Sequence, residues 1–95
     1  MKKYEIMYIV KANLDEEARK DAIAKMNAVI TDNGGTVTDV NEWGMRALAY
    51  PIKDEMKGYY VVVKVTADQK ATGEFDRLAK INNNILRHLI VVDQD

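Results

Sequence analysis

The clearest signal along the chain is the spacing of its apolar residues, which alternates in some stretches and follows a helical period in others. Lys3–Lys11 alternates with period two, and because both of its faces are largely apolar we predict a central strand. β-Branched and aromatic residues predict further strands over Thr36–Ile52, Gly58–Ala67 and Ile85–Val92.

Two amphipathic helices are predicted between these strands. Asn13 is the predicted N-cap of the first helix, and the acidic residues that follow it favour the positive end of the helix dipole. Gly34 suits the left-handed residue after the last turn. Asp68 is the predicted N-cap of the second helix, which extends to Ile81. The residues predicted to face the core are Ala18, Ala22, Ile23, Met26, Val29, Ile30, Phe75, Leu78 and Ile81 or Asn82.

Two residues of the second strand indicate its place in the sheet. Gly44 predicts a bulge or kink, after which Met45–Ile52 continues in an extended conformation. Pro51 has no N–H to donate to a strand ladder, so we expect this strand at a sheet edge. The charged run Lys53–Lys57 then predicts a turn before the third strand.

The element order βαββαβ is typical of an α+β domain with the ferredoxin-like split βαβ fold. Right-handed crossovers place the first and third strands at the centre of a four-stranded antiparallel sheet, with two helices on one face. We expect a single domain over residues 1–95, ordered from about residue 2 to residue 92. The other face of the sheet, with Met7 and Ile9, stays uncovered, so either a partner docks there or the apolar pattern is ordinary core.

Side chains used in most enzyme chemistry are scarce in this sequence. It has no cysteine and no serine, and its single histidine, His88, leaves little for a metal site or an acid–base pair. The acidic clusters at 15–17 and 93–95 are explained more simply as a helix start and a chain terminus. We therefore expect no catalytic residue, no metal, no cofactor and no small-molecule substrate. The opening MKKYEIMYIV is too short and too charged for a signal peptide or membrane span, so we expect a cytoplasmic protein.

The charge balance argues against non-specific nucleic-acid binding. The 14 basic and 15 acidic residues give a net charge of −1, whereas such binding normally requires a strongly basic face. Any RNA site must therefore be a local basic cluster or be completed by a basic partner.

Three short segments carry candidate binding chemistry. Lys57-Gly58-Tyr59 partly matches the first signature of the RNA-recognition motif, but Val61 occupies the position of a base-stacking aromatic residue. Trp43 and Tyr50 flank Arg46, which suits either an interface strip or the packing of an edge strand. His88 could bond to or stack on a nucleotide, or simply pack at the sheet surface.

Four motifs follow one another along the chain: W-G-x-R-x-L-A-Y-x-I from Trp43, K-G-Y-Y from Lys57, E-F-D-R-L-x-K-I from Glu74 and I-x-R-H-x-I-V from Ile85. Together with YEIMYIV at Tyr4, they make the chain resemble the bacterial small-subunit ribosomal protein S6 family. The resemblance implies a structural, non-enzymatic protein of the small ribosomal subunit. It also implies binding to the central domain of small-subunit ribosomal RNA together with ribosomal protein S18, a small basic protein.

The resemblance, combined with the predicted strand pairing, suggests two contact surfaces. The RNA surface comprises Lys2, Lys3, Tyr4, Arg87 and His88, and the protein-partner surface comprises Trp43, Arg46, Leu48 and Tyr50. The assignment of RNA and protein to these two surfaces could be exchanged. Ala47 and Val92 occupy positions where members of the family often have basic residues, so weaker intrinsic RNA affinity is expected.

Two other classes share the predicted fold. One is a small-molecule-binding regulatory module or homodimer that associates through its sheet. The other is an acylphosphatase-like enzyme, which needs an anion-binding loop with an arginine after the first strand. The loop Lys11–Leu14 contains neither glycine nor arginine and therefore does not favour the enzyme.

Overall fold

The computed structural model describes residues 1–93, which form four strands and two helices. The elements in chain order are β1 (Lys2–Lys11), α1 (Glu16–Asp32), β2 (Thr36–Ile52), β3 (Glu55–Ala67), α2 (Gln69–Ile81) and β4 (Ile85–Val92). The predicted acidic terminus at 93–95 lies mostly outside the described residues.

The strands form one antiparallel sheet in the order β2-β3-β1-β4. Tyr8 of β1 pairs with Val61 of β3 on one side and with His88 of β4 on the other, so β1 and β3 occupy the centre. Both helices contribute buried residues to the same core against one sheet face. The predicted ferredoxin-like arrangement is confirmed, including the edge position of β2 with its Pro51.

The core lies between this sheet face and the helices, around Tyr8 and Phe75. Both side chains are fully buried, and their ring centroids lie 5.6 Å apart in a tilted arrangement. The Tyr8 hydroxyl donates a 2.9 Å hydrogen bond to Asn27 Oδ1 of α1, which satisfies its polar end. Burial, helped by the charge of Glu42, raises the pKa of this phenol far above its usual value.

Three details of the helices differ from the prediction. Ala18, predicted to face the core, lies in the first turn of α1 and is exposed. The N-cap of α1 is Asp15 rather than Asn13, because the Asp15 carboxylate accepts a 2.7 Å hydrogen bond from the Ala18 N–H. In α2 the inward residue after Phe75 is Ala79, whereas Ile81 is 65% exposed. Ile81 lies six positions after Phe75 and is thus rotated by about 240° around the helix axis. The predicted cap at Asp68 and the left-handed Gly34 are both confirmed.

The connection between β2 and β3 is shorter than predicted. Only Lys53 and Asp54 form the turn, both with positive φ, which is the backbone of a tight two-residue hairpin. Glu55–Lys57 therefore belongs to β3, and the hairpin forms an arm that extends beyond the end of β1 at Lys11. Gly44 has a φ of +91° at a shift in the β2–β3 register, which confirms the predicted bulge.

Candidate RNA- and protein-binding surfaces

The two faces of the sheet have different roles because neighbouring residues of a strand point to opposite sides. One face is covered by α1 and α2, and we call the other the open face. Pairing Ile9 with Tyr60 and Arg87 places these three residues on the open face. Their neighbours Tyr8 and His88 face the helices.

A stack of two aromatic rings and one guanidinium lies on the open face. The rings of Trp43 and Tyr60 are almost parallel, at an interplanar angle of 6° with centroids 6.4 Å apart. The guanidinium carbon of Arg46 lies 5.1 Å from the Trp43 ring, within the range of a cation–π contact. Trp43 remains 43% exposed, so much of the indole is available to a partner.

The arm brings Leu48 against the open face through a close approach at Gly58. A Cβ at Gly58 would lie 2.2 Å from Ile9 Cγ2 and 3.6 Å from Leu48 Cδ2. Only glycine leaves room for the Ile9 side chain here, which is itself 7% exposed. Glycine at this position therefore determines how closely the start of the arm packs on β1.

Tyr50 joins the same surface from farther along the arm. Its hydroxyl accepts a hydrogen bond from Arg87 Nη1 of β4. The structure thus brings all four residues predicted for the protein partner, Trp43, Arg46, Leu48 and Tyr50, to the open face. Arg87, predicted for RNA, lies on that face with them, so the two predicted surfaces adjoin.

An apolar depression lies beside this contact. It is lined by Met7, Ile9, Tyr60, Arg87 and Leu89. Leu89 and Val91 of β4 continue the apolar surface and are 54% and 43% exposed. Aromatic, aliphatic and arginine side chains together give the composition of a protein interface. Tyr60 was not singled out from the sequence, since consecutive tyrosines at 59 and 60 give no indication of which one faces outward.

The structure gives Tyr4 and His88 protein partners instead of a free surface. Tyr4 is 8% exposed and belongs to the core beneath the helices. His88 Nε2 lies 2.6 Å from Asp76 Oδ1 of α2, and its ring is tilted against Phe75. The hydrogen bond from His88, together with one from Lys80, lowers the pKa of the Asp76 carboxyl. Because residues alternate along β4, His88 is separated from Arg87 by the sheet itself.

The two predicted lysines lie at the other end of the sheet. Tyr4 pairs with Val92, and the Asp93 N–H donates a 2.8 Å hydrogen bond to the Lys3 carbonyl oxygen. The expected proximity of Lys2 and Lys3 to the end of β4 is therefore confirmed. Both lysines are exposed, and Lys3 pairs with Thr66 on the open side while Lys2 pairs with the buried Ala67.

The partial RNA-recognition signature has its first two aromatic positions, Tyr59 and Val61, on the covered face. Val61 is completely buried under the helices, and Tyr59 packs beside the same core. The open face carries Tyr60 instead, one residue out of register with the signature. The match at Lys57-Gly58-Tyr59 therefore does not create the usual base-stacking platform.

Residues 1–93 contain neither a metal-binding cluster nor a membrane-spanning helix. In this part of the chain no three His, Cys, Asp or Glu side chains are grouped so that they could hold a metal ion. Neither helix in the same range has the length and apolar character needed to cross a membrane.

Comparison with known proteins supports a single family. A crystal structure of 30S ribosomal protein S6 from Thermotoga maritima superposes with a TM-score of 0.91 at 27% sequence identity. The match covers 97% of this chain and 87% of the Thermotoga chain. The family model for ribosomal protein S6 matches residues 3–92, nearly the whole sequence. The chain therefore belongs to the ribosomal protein S6 family.

Proposed function

We propose that this chain is a structural, non-enzymatic component of the bacterial small ribosomal subunit in the cytoplasm. It binds the central domain of small-subunit ribosomal RNA together with ribosomal protein S18. The observation that carries the proposal is the open face, where Trp43, Arg46, Leu48 and Tyr50 come together on a chain of the S6 family.

The open face suits a protein partner better than it suits RNA alone. Trp43 is 43% exposed and Tyr50 56%, which is a large aromatic surface to leave in water on a small domain. Tryptophan, tyrosine and arginine are the residues that most often dominate binding energy in protein interfaces. An apolar depression with arginines beside it therefore fits S18 seated on the sheet, with the exposed Arg46 and Arg87 available to acidic or phosphate groups.

The small net charge is consistent with binding as a pair. A chain with net charge −1 gains little from general attraction to phosphate, so a basic partner must supply much of the neutralisation. Its own basic residues then orient the complex on RNA rather than provide most of the affinity. Lys2, Lys3 and Arg87 have exposed side chains for this role, whereas Tyr4 and His88 offer little surface.

A titration tests the proposal. A central-domain fragment of small-subunit ribosomal RNA is titrated with the chain in the presence and absence of its cognate S18, and binding is measured by filter retention or anisotropy. Weak binding alone that becomes tight and saturable with S18 is the expected result. Tight binding without S18 would contradict the argument from charge. No binding in either mixture, with a homodimer formed through the open face, would overturn the proposed function.

A further inference from the structure

A group of three side chains lies directly behind the aromatic stack, on the covered side of the sheet. The Tyr59 hydroxyl donates a 2.7 Å hydrogen bond to Glu42 Oε1, which joins β3 to β2. The guanidinium carbon of Arg19, on α1, lies 4.4 Å from the centroid of the Tyr59 ring. Arg19, Tyr59 and Glu42 together link the first turns of α1 to the two strands.

This group and the aromatic stack share two short pieces of backbone. Glu42 precedes Trp43 in β2, and Tyr59 precedes Tyr60 in β3. Because successive side chains point to opposite faces, whatever fixes Glu42 and Tyr59 on one side limits the movement of their neighbours on the other.

The strand ladder leaves Trp43 without a pairing residue. Glu42 pairs with Val61 and Gly44 pairs with Tyr60, so Trp43 is the extra residue of the bulge. Gly44 directly follows Trp43 and has a φ of +91°. As a glycine, it gives the backbone at this point more conformational freedom than another residue would. The ladder therefore constrains this indole less than it constrains paired positions, and its orientation must be fixed by other contacts.

Few other contacts support this part of β2 on the covered face of the sheet. The flanking residues Val40 and Met45 are 43% and 44% exposed on the covered side, because the helices do not cover this part of the edge strand. The hydrogen bond to Glu42 also raises the pKa of the Tyr59 phenol, because only the neutral phenol can donate to the carboxylate.

We propose that Arg19, Tyr59 and Glu42 act as a clasp that positions the Trp43–Tyr60 stack for partner binding on the open face. The identity of the partner that binds beside the clasp rests on the proposed function. The effect of the clasp on Trp43 in the free chain does not. Arg19, Tyr59 and Glu42 are therefore positioning residues. They do not contact the partner themselves and act only through the backbone next to Trp43 and Tyr60.

The single tryptophan makes the clasp measurable without any partner. Acrylamide quenching of Trp43 fluorescence, and the NMR signal of its indole N–H, report how well the ring is held. Tyr59→Phe keeps the ring beneath Arg19 but removes the donor to Glu42. Glu42→Ala removes the acceptor, whereas Glu42→Gln keeps an acceptor oxygen. Glu74→Gln is the matched control, because it removes the same negative charge from a carboxylate that contacts Arg77 on α2, away from the stack.

The clasp predicts a graded result. Tyr59→Phe and Glu42→Ala should increase Trp43 quenching and broaden the indole signal, while Glu42→Gln and Glu74→Gln stay close to the wild type. The affinity of the chain and S18 for the RNA fragment should fall about two- to fivefold with the first two variants, as expected for losing one exposed hydrogen bond to a charged group. Circular dichroism verifies that each variant is folded.

Failure of the clasp can be distinguished from failure of the proposed function. Unchanged Trp43 quenching in both Tyr59→Phe and Glu42→Ala would overturn the clasp, whatever the partner does. Increased quenching with unchanged affinity would overturn its role in binding. If the wild-type chain binds neither S18 nor RNA, the proposed function fails, while the quenching data still decide whether the clasp holds Trp43.

Discussion

Tyr50 and Arg87 are hydrogen-bonded over the open face, although they belong to the two edge strands of the sheet, β2 and β4. The contact is possible because the arm extends beyond the four-stranded part of the sheet and passes over its end. It joins a residue predicted for the protein partner to one predicted for RNA. The open face is therefore a continuous surface on which the two kinds of ligand would meet.

Arg87 is expected to contact phosphate once S18 is bound. Arg87→Gln should lower the slope of log affinity against log salt by about 0.9, the contribution of one phosphate contact on duplex DNA. Tyr50→Phe is the control, because it removes the hydroxyl next to Arg87 but no charge. RNA titrations over a salt series measure both. An unchanged slope in Arg87→Gln, with weaker S18 binding, would assign Arg87 to the protein partner instead.

Trp43 is expected to dominate binding to S18. Trp43→Ala should weaken the complex by about 10- to 100-fold, because a central aromatic side chain of an interface commonly contributes about 2 kcal/mol or more. Isothermal titration calorimetry with purified S18 measures the change. Ile81→Ala is the matched control, since Ile81 is an exposed apolar residue at the end of α2. Equal affinity of the Trp43 variant and the wild type would contradict the assignment.

Val92 is a position where a positive charge should strengthen RNA binding. Val92→Lys would add a basic side chain at the end of β4, on the same sheet face as Lys2, and raise the magnitude of the salt slope by about 0.9. Val92→Gln controls for the loss of the apolar side chain. Equal affinities and slopes for Val92→Lys and wild type would show that this end of the sheet does not touch RNA.

The Asp76–His88 contact predicts part of the acid sensitivity of the fold. The pKa of Asp76 is lowered by His88 and then by Lys80, so the folded state holds fewer protons at this carboxyl than the unfolded state. The stabilisation is present above the ordinary carboxyl pKa of 3.8 and is lost as the pH falls through the lower folded value. Asp76→Asn should therefore show a shallower loss of stability below about pH 4.

Urea unfolding at a series of pH values measures this effect. Asn83→Gln, in the turn before β4, is the control. It shows how far an unrelated substitution changes the loss of unfolding free energy at acidic pH. His88→Gln should show part of the effect, because the Lys80 contact remains. The linkage is refuted if Asp76→Asn and wild type lose stability in parallel from neutral to acidic pH.

Gly58 is expected to tolerate no side chain. Gly58→Ala would force its Cβ against Ile9 Cγ2 and should cost about 1–3 kcal/mol in the free energy of unfolding. Gly73 is the control, because a Cβ there meets nothing within 4 Å and alanine should stabilise α2 by about 0.5–1 kcal/mol. Chemical denaturation measures both. Adding Ile9→Ala should recover part of the loss at Gly58, and the absence of any coupling would contradict the steric explanation.

Features that depend on the spacing of residues could be predicted from the sequence. The inward pattern of β1, the bulge at Gly44 and the edge position of Pro51 follow from side-chain alternation and backbone chemistry, and the structure confirms them. Features that depend on register could not. Whether Tyr59 or Tyr60 faces outward depends on a single-residue shift of β3, which adjacent tyrosines do not reveal.

The candidate site can likewise be predicted only in part, because the sheet face that each residue occupies depends on register. Trp43, Arg46, Leu48 and Tyr50 are predicted together from the exposure of their edge strand and from the family resemblance. His88 and Arg87 were grouped because they are adjacent, and alternation along β4 places them on opposite faces. The sequence alone predicts too short an arm, since charged residues 55–57 resemble a loop until the two-residue turn at Lys53-Asp54 is known.

The outer side of β2 has a consequence for the chain before it meets any partner. This strand of 17 residues pairs only with β3 within the described residues, and such an edge can template addition of another chain and so start aggregation. Pro51 interrupts the row of backbone donors, and the bulge at Gly44 bends the strand away from the straight path a second copy would need. We therefore expect these two residues to help a newly made chain stay dispersed before a partner covers its aromatic surface.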